Sequence, residues 1–445
     1  MLEARGLSVG PPGSAPVFRD LDLEVRPGEW VALTGANGGG KSLLCLALAG
    51  LLGPRAGTVQ ADGVALTPHA PARAAVGMVF QEPESQLVAP TLEEEIAFPL
   101  ENLGWERARI TERVRRLVDE FDLGALSGRA PTSLSGGEKS RLGLAAALAG
   151  DPRYLLLDEP GVYLDARARE RLRALVRREI ERGRGALFVT QLEEEWSAAD
   201  RRLRLENGVL RSASATEPIA SPAASRDGLA RAASSSGRPI LASRSLSFQY
   251  GAKPLLEHVD LELAPGEVVL LTGASGSGKT TLLLLLCGIL EPGSGRIDLD
   301  RSSSLGVLLQ SPEDQLVSSS VAEDVAIGVR QAGEEGRRKV TAALAEVGLD
   351  PDLHASRPPS SLSHGQRRRA AWAGLLARGA RLWLLDEPST GLDQAGVSLL
   401  ETTLARFASA GGAALVASQD PRLEAWGIRR YGLEAGRLHP IQRAH

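Results

Sequence analysis

An internal repeat sets most of what this chain can fold into. Gly35-Ala-Asn37-Gly38-Gly-Gly40-Lys41-Ser42 returns as Gly273-Ala-Ser275-Gly276-Ser-Gly278-Lys279-Thr280. Phe80-Gln81-Glu-Pro-Glu84-Ser-Gln86-Leu returns as Leu309-Gln310-Ser-Pro-Glu313-Asp-Gln315-Leu, and Leu134-Ser135-Gly136-Gly137-Glu138 as Leu362-Ser363-His364-Gly365-Gln366. Leu-Leu-Leu-Asp158-Glu159-Pro160 then returns as Trp-Leu-Leu-Asp386-Glu387-Pro388. From the serine-bearing block onward the spacing is constant: Ser363, Asp386, Asp393 and Gln419 each lie 228 positions beyond Ser135, Asp158, Asp165 and Gln191. Two halves of one architecture are therefore expected, each large enough for its own core. The two lysines lie 238 positions apart, so the second copy is shorter between its first two motifs. A surface strand-and-loop region would absorb that difference.

Between the copies, 15 of the 29 residues from Arg211 to Pro239 are Ser or Ala, and the only bulky apolar residues are Ile219 and Leu229. Such a stretch predicts a flexible tether, with domains at 1–210 and 240–445. Trp30 to Thr34 and Val268 to Thr272 are short apolar runs that end in a glycine-rich turn and lead into leucine-rich stretches. Each reads as strand, loop, helix. Tyr154 to Leu157, Leu382 to Leu385, Ala186 to Val189 and Ala413 to Val416 are further runs of strand length. The expected class is α/β, with a mainly parallel sheet in each half covered by helices on both faces.

A net charge of -4 disfavours a nucleic-acid coat. Cys45 and Cys287, each inside an apolar stretch, give neither a disulfide framework nor a metal motif and read as core residues of a protein in a reducing setting. The most apolar run, Leu282 to Leu290, is about half the length needed to cross a bilayer, and the N-terminus has no export-signal pattern. Any membrane role is expected to be peripheral.

The glycine-rich blocks have the spacing of a phosphate loop. Glycines let the backbone curl so that N–H groups and a helix N-terminus face phosphates, the lysine adds charge near the β and γ groups, and the hydroxyl holds Mg²⁺. Two of only five lysines stand here, so both loops are expected to bind nucleoside triphosphate.

Phosphate loop, glutamine loop, LSGGQ-like signature and an apolar run ending in Asp-Glu-Pro, in this order, resemble the ATPase domains of ATP-binding cassette (ABC) proteins over nearly all residues outside the tether. The resemblance implies two P-loop domains, each with a helical signature subdomain, that close head to tail over ATP. One site would pair Lys41, Ser42, Gln81, Asp158 and Glu159 with Ser363 and Gly365. The other would pair Lys279, Thr280, Gln310, Asp386 and Glu387 with Ser135 and Gly137. The resemblance also places Gly35, Asn37, Gly38, Gly40, Leu43, Gly273, Ser275, Gly276, Gly278, Thr281, Gly136, Asp165 and Asp393 at nucleotide. Asp158, Asp386, Gln81, Gln310, Ser42 and Thr280 would serve Mg²⁺, and Glu159 and Glu387 would act as general bases.

Three departures from the family pattern stand out, and the last two make the two sites unequal. Where the family usually has a histidine near the γ-phosphate, both copies have glutamine, Gln191 and Gln419, which can donate a hydrogen bond but never carries charge. Slower hydrolysis is expected, although the glutamines could be tolerated without effect. The adenine-stacking aromatic is Tyr250 in the second copy, while Leu7-Ser-Val-Gly-Pro11 offers none in the first. Gly161 and His364 replace the family's usual residues in their blocks.

The blocks after Gln81 and Gln310, followed by Glu93-Glu-Glu-Ile-Ala-Phe-Pro-Leu-Glu-Asn-Leu-Gly104, are similar to the ATPases of energy-coupling factor importers. That similarity implies work at the cytoplasmic face of the membrane, with a transmembrane scaffold and a small substrate-binding membrane subunit as partners. Cargo would be a vitamin, a vitamin precursor or a transition metal ion. Glu84 and Glu313 would each accept an arginine from the scaffold's coupling helices, or simply be solvated acids. Two other classes stay open: a soluble tandem ATPase acting on ribosomes, disfavoured by the short Ser/Ala-rich tether and net acidity, and a nucleotide-gated regulatory module with little turnover. No nucleic-acid partner is expected.

Overall fold

A computed structural model describes residues 1–445 apart from 11–14, 69, 82–85, 163, 215–216, 218, 220–228, 230–237, 252, 301–303, 311–314, 332 and 442–445. The chain divides into two compact units, Met1–Ser221 and Pro222–His445.

In the first unit the apolar runs form a six-stranded sheet, ordered Val209–Ala213, Arg201–Glu206, Trp30–Gly35, Gly185–Val189, Tyr154–Asp158, Val76–Val79. All neighbours are parallel except the outermost pair, Val209–Ala213 with Arg201–Glu206. Tyr154–Asp158 and Gly185–Val189 are buried at every residue, because parallel strands are covered on both faces and no polar alternation is tolerated. One face packs on a core that includes Trp30, Phe188 and the signature helix Gly136–Ala149. The other packs on a core with the loop helix Lys41–Leu48 and an antiparallel sheet ordered Phe18–Val25, Leu2–Val9, Ala56–Ala61, Val64–Ala65.

The second unit repeats the plan. Its six strands run Leu305–Leu308, Leu382–Asp386, Ala413–Ala417, Val268–Thr272, Arg429–Glu434, Arg437–Ile441, with the last pair antiparallel. Its antiparallel sheet has three strands, Lys253–Leu263, Leu241–Tyr250 and Ser294–Leu299. Among the described residues it has no counterpart of Val64–Ala65, so the shortening expected between the first two motifs falls on a surface hairpin.

Beside each sheet stands a helical layer. Leu92–Asn102 begins where the Thr91 hydroxyl accepts the Glu94 N–H at 3.3 Å, with Glu93, Glu94 and Glu95 in the first turn, where acidic side chains favour the helix dipole. Its counterpart, Val321–Ala326, begins on the Ser320 hydroxyl in the same way.

The proposed tether does not begin at 210. Arg211, Ser212 and Ala213 belong to the edge strand, which the Ser/Ala composition concealed because an edge strand needs no bulky residues. Ile219 is buried in the first unit, with its N–H on the Glu193 carboxylate at 3.0 Å and its carbonyl accepting from Arg204 at 2.8 Å. Leu229 is buried in the second unit's core. The stretch's two bulky apolar residues thus anchor its two ends, and most of the rest of 211–239 lies outside the described residues. Cys45 is a buried free thiol, as expected of a core residue; Cys287, at its helix's C-cap, is only partly buried.

Candidate nucleotide sites

In both units the glycine-rich loop joins a buried strand to a helix starting at the lysine. Gly40 and Gly278 cap these helices at φ 95° and 104°, a left-handed conformation that costs glycine little. A Cβ on Gly40 would lie 2.7 Å from Val17 Cγ1, so space excludes a side chain as well. Gly38 and Gly276 also have positive φ, with open space where a Cβ would stand, which leaves the backbone free to approach a ligand. The Lys41 ammonium donates to the Gly35 and Ala36 carbonyls at 2.9 and 3.2 Å; Lys279 does the same to Gly273 and Ala274 at 2.7 and 3.0 Å. Leu43 and Thr281 follow on the loop helices; Thr281 is buried, and Leu43 packs at the edge of the core.

The hydroxyl next to each lysine meets the aspartate at the end of the fourth motif. Thr280 Oγ1 donates to Asp386 Oδ2 at 2.7 Å, and Ser42 bonds Asp158. Burial pushes both aspartates above the usual carboxylate range, so each is a site where a cation would relieve a buried charge. The donor set suits Mg²⁺: a hydroxyl, a carboxylate and the nearby Gln81 or Gln310, with no cluster of three or more His, Cys, Asp or Glu among the described residues. A hard cation that keeps phosphate and water ligands needs no more protein oxygens.

Glu159 and Glu387 sit at φ 48° and 47°, a region that non-glycine residues seldom occupy. Each is tied back by its own N–H, to Val189 O at 3.0 Å and to Ala417 O at 2.8 Å. Strain of this kind persists only when neighbours over-determine it. The carboxylates, however, are held differently. Glu159 accepts from Gln81 Nε2 at 3.1 Å and lies 3.7 Å from the Lys41 ammonium. Glu387 accepts from Ser418 Oγ at 2.8 Å and the Gln419 N–H at 3.2 Å, and burial raises it to about 7.

Thr190, which matches Ser418, donates instead to Glu195, a buried acid with no counterpart in the second unit, where the matching residue is Leu423. Glu195 fits because residue 161 is glycine: a Cβ there would lie 2.0 Å from Glu195 Oε1. Gln191 donates to Gly35 O at 2.7 Å and accepts from Thr34 at 3.3 Å, so its amide is bound to the phosphate loop's own strand. The serines of the signatures cap their helices in the same reciprocal box with the residue three positions on, Glu138 or Gln366. Ser135 gives its N–H to the Glu138 carboxylate at 2.8 Å and also donates its hydroxyl to it at 2.8 Å; Ser363 gives its N–H to Gln366 at 2.9 Å and its hydroxyl accepts the Gln366 N–H at 3.3 Å. Gly136 and Gly137 are half-buried in the first turn of their helix, and Gly365 is buried in its own. Asp165 and Asp393 cap the next helices, on the N–H groups of Ala168 and Gly396 at 2.7 and 2.9 Å. Tyr250 is 55% exposed at its strand's end, edge-on to Phe248 at 4.9 Å, while Pro11, the matching place in the first unit, lies outside the described residues.

Glu84 and Glu313 also lie outside the described residues, but their loops' anchors are described. Gln86 and Gln315 accept the N–H groups of Phe80 and Leu309 at 3.1 and 2.9 Å. The buried Glu95 takes the N–H groups of Val88 and Ala89 at 2.8 Å, and Asp324 those of Val317 and Ser318 at 2.9 Å. These loops carry Val88 and Val317, 65% and 77% exposed, and the exposed Phe98 and Ile327 follow in both copies.

Residues 18–162 and 256–390 match the ABC transporter family. A Methanosarcina acetivorans protein provisionally named an ABC transporter ATP-binding protein is 31% identical, over 88% of this chain and 81% of its own. A Bacillus subtilis protein provisionally named an HMP/thiamine import ATP-binding protein is 29% identical, over 92% of this chain and 85% of its own. Among solved structures, a chain of ribosome-bound archaeal Pelota and ABCE1 aligns with TM-score 0.74 at 21% identity, over 99% of this chain and 78% of that one; at such identity the likeness shows the fold alone. No helix among the described residues is long and apolar enough to cross a membrane. Two phosphate loops, each with its glutamine, carboxylate pair and signature on a parallel-sheet core, together with these matches, place the chain in the ABC transporter family as a tandem ATP-binding ATPase.

Proposed function

We propose that the chain powers a membrane importer of the energy-coupling factor type from the cytoplasmic face, binding two ATP molecules and closing its two cassettes over them. Each ATP would lie between one copy's phosphate loop and the other copy's signature serine and glycines. Lys41 and Lys279 would leave their loop carbonyls for the β and γ phosphates. Ser42, Asp158 and Gln81, or Thr280, Asp386 and Gln310, would hold a Mg²⁺ ion, which would supply neutralisation of phosphate charge. Glu159 and Glu387 would take the proton of the attacking water. The B. subtilis relative's name, with HMP and thiamine as its cargo, supports a vitamin or vitamin precursor as the cargo class.

The observation that carries the membrane reading is the repeated apolar pair beside each glutamine loop, Val88 with Phe98 and Val317 with Ile327. An unburied valine on a loop braced by a buried carboxylate is a rigid apolar knob, suited to a partner's coupling helix. The scaffold and the small substrate-binding subunit are the partners this reading implies.

Co-expression with a candidate scaffold tests it. Val88→Asp with Val317→Asp is expected to abolish copurification while leaving the isolated chain's ATPase rate within about two-fold. Sedimentation with ribosomes rather than membranes would instead favour the ribosomal class. Glu159→Gln with Glu387→Gln should hold ATP and lose nearly all turnover; wild-type phosphate release from that variant would refute the general bases.

A further inference from the structure

The two copies differ at one buried position behind the carboxylate turn. Arg368, on the signature helix His364–Arg378, is wholly buried. Its guanidinium donates through Nη1 to the carbonyl of Glu387 and through Nη2 to the carbonyl of Gln310 at 2.9 Å. One planar group thus ties together the backbone of the glutamine loop, the strained turn that carries the carboxylate, and the helix that begins at the signature serine. It also lies close enough to Asp386 to favour that residue's charged form. In the first copy the matching residue, 228 positions earlier, is Ser140, which reaches the Pro160 carbonyl at 3.4 Å.

We infer that Arg368 is a positioning residue of the second site, fixing the Glu387 turn and the Gln310 loop in one geometry for hydrolysis. The physical grounds are burial and shape. A buried guanidinium is costly unless its donors are met, and here the Nη1 and Nη2 groups are met by backbone carbonyls of two functional segments. A forked donor fixes both distance and orientation, which a single hydroxyl cannot do. The first copy holds Glu159 by other means, its carboxylate resting on Gln81 Nε2 and near Lys41. The inference rests on Glu387 being the second site's general base.

The test is made in the full chain carrying Glu159→Gln, so that only the second site turns over. Arg368→Met keeps the length of the side chain and removes its donors; Arg368→Lys restores a cationic donor. The expected result is a fall in kcat of at least about 10-fold for Arg368→Met, with KM within about two-fold, and partial recovery for Arg368→Lys. Fluorescent-nucleotide stoichiometry counts folded sites, so a fall in bound nucleotide that matches the fall in rate would mean a merely structural role and overturn the inference. An unchanged kcat in Arg368→Met would also overturn it. Should Glu387→Gln itself leave the second site's turnover intact, the assignment of the base fails, a result distinguishable because Arg368→Met is read against that control.

Discussion

Glu195 shows how one small residue changes a site's chemistry. With glycine at 161 there is room for a carboxyl behind the Thr190–Gln191 turn, and that carboxyl takes the Thr190 hydroxyl; in the second copy Ser418 gives its hydroxyl to Glu387. Burial raises Glu195 to about 7. A carboxyl in the unfolded chain titrates near 4.5, so between there and about 7 the folded state holds the extra proton and stability falls as pH rises. Glu195→Gln should therefore match wild type in acid and exceed it above neutrality, by about 3 kcal/mol in the first unit. Chemical denaturation at several pH values checks this, and a constant difference across pH would show that Glu195 stays ionised against Arg169. None of this was legible in the sequence, where Gly161 was only an oddity and Glu195 one of three consecutive acids. The phosphate loops were legible because their function lies in contiguous spacing. The roles of Glu195 and Arg368 come from contacts that only the fold creates.

At the scale of elements, the strands that carry the motifs appear where the apolar runs predicted them, because a strand buried on both faces leaves an uninterrupted signature. The edge strand that runs into Ala213 has no such signature, so composition alone starts the tether too early. The loops after Gln81 and Gln310 were read by family likeness for Glu84 and Glu313, but the residues the structure shows bracing them are Gln86, Gln315, Glu95 and Asp324. Each bracing acid, Glu95 or Asp324, satisfies two backbone N–H groups from the start of a helix, a charge-assisted arrangement. Glu95→Ala would leave both N–H groups of its loop without an acceptor, at a cost of about 2–4 kcal/mol, and thermal unfolding of the first unit should register it. The same substitution should weaken scaffold copurification, since Val88 would no longer be held in place. Leu229→Ala tests the other anchoring, with a loss of about 2–4 kcal/mol expected in the second unit. A melt unchanged by Leu229→Ala would mean that this side chain contributes nothing to the core.

At the scale of the molecule, two copies of one plan have diverged in the groups proposed to hold nucleotide and base, so equal sites are not expected. The second copy presents Tyr250, exposed at the end of the strand Leu241–Tyr250, which precedes the phosphate loop in sequence, while the first has proline at the matching place. Stacking of an adenine on an aromatic face contributes about 1 kcal/mol, or roughly five-fold in affinity. Titration with a slowly hydrolysed ATP analogue should therefore resolve two sites, with the tighter one in the copy bearing Lys279. Tyr250→Ala should weaken that site alone and bring the two affinities together, and Lys279→Ala should remove the tighter phase and spare the weaker. If Lys41→Ala removed the tighter phase instead, affinity would be set by something other than stacking.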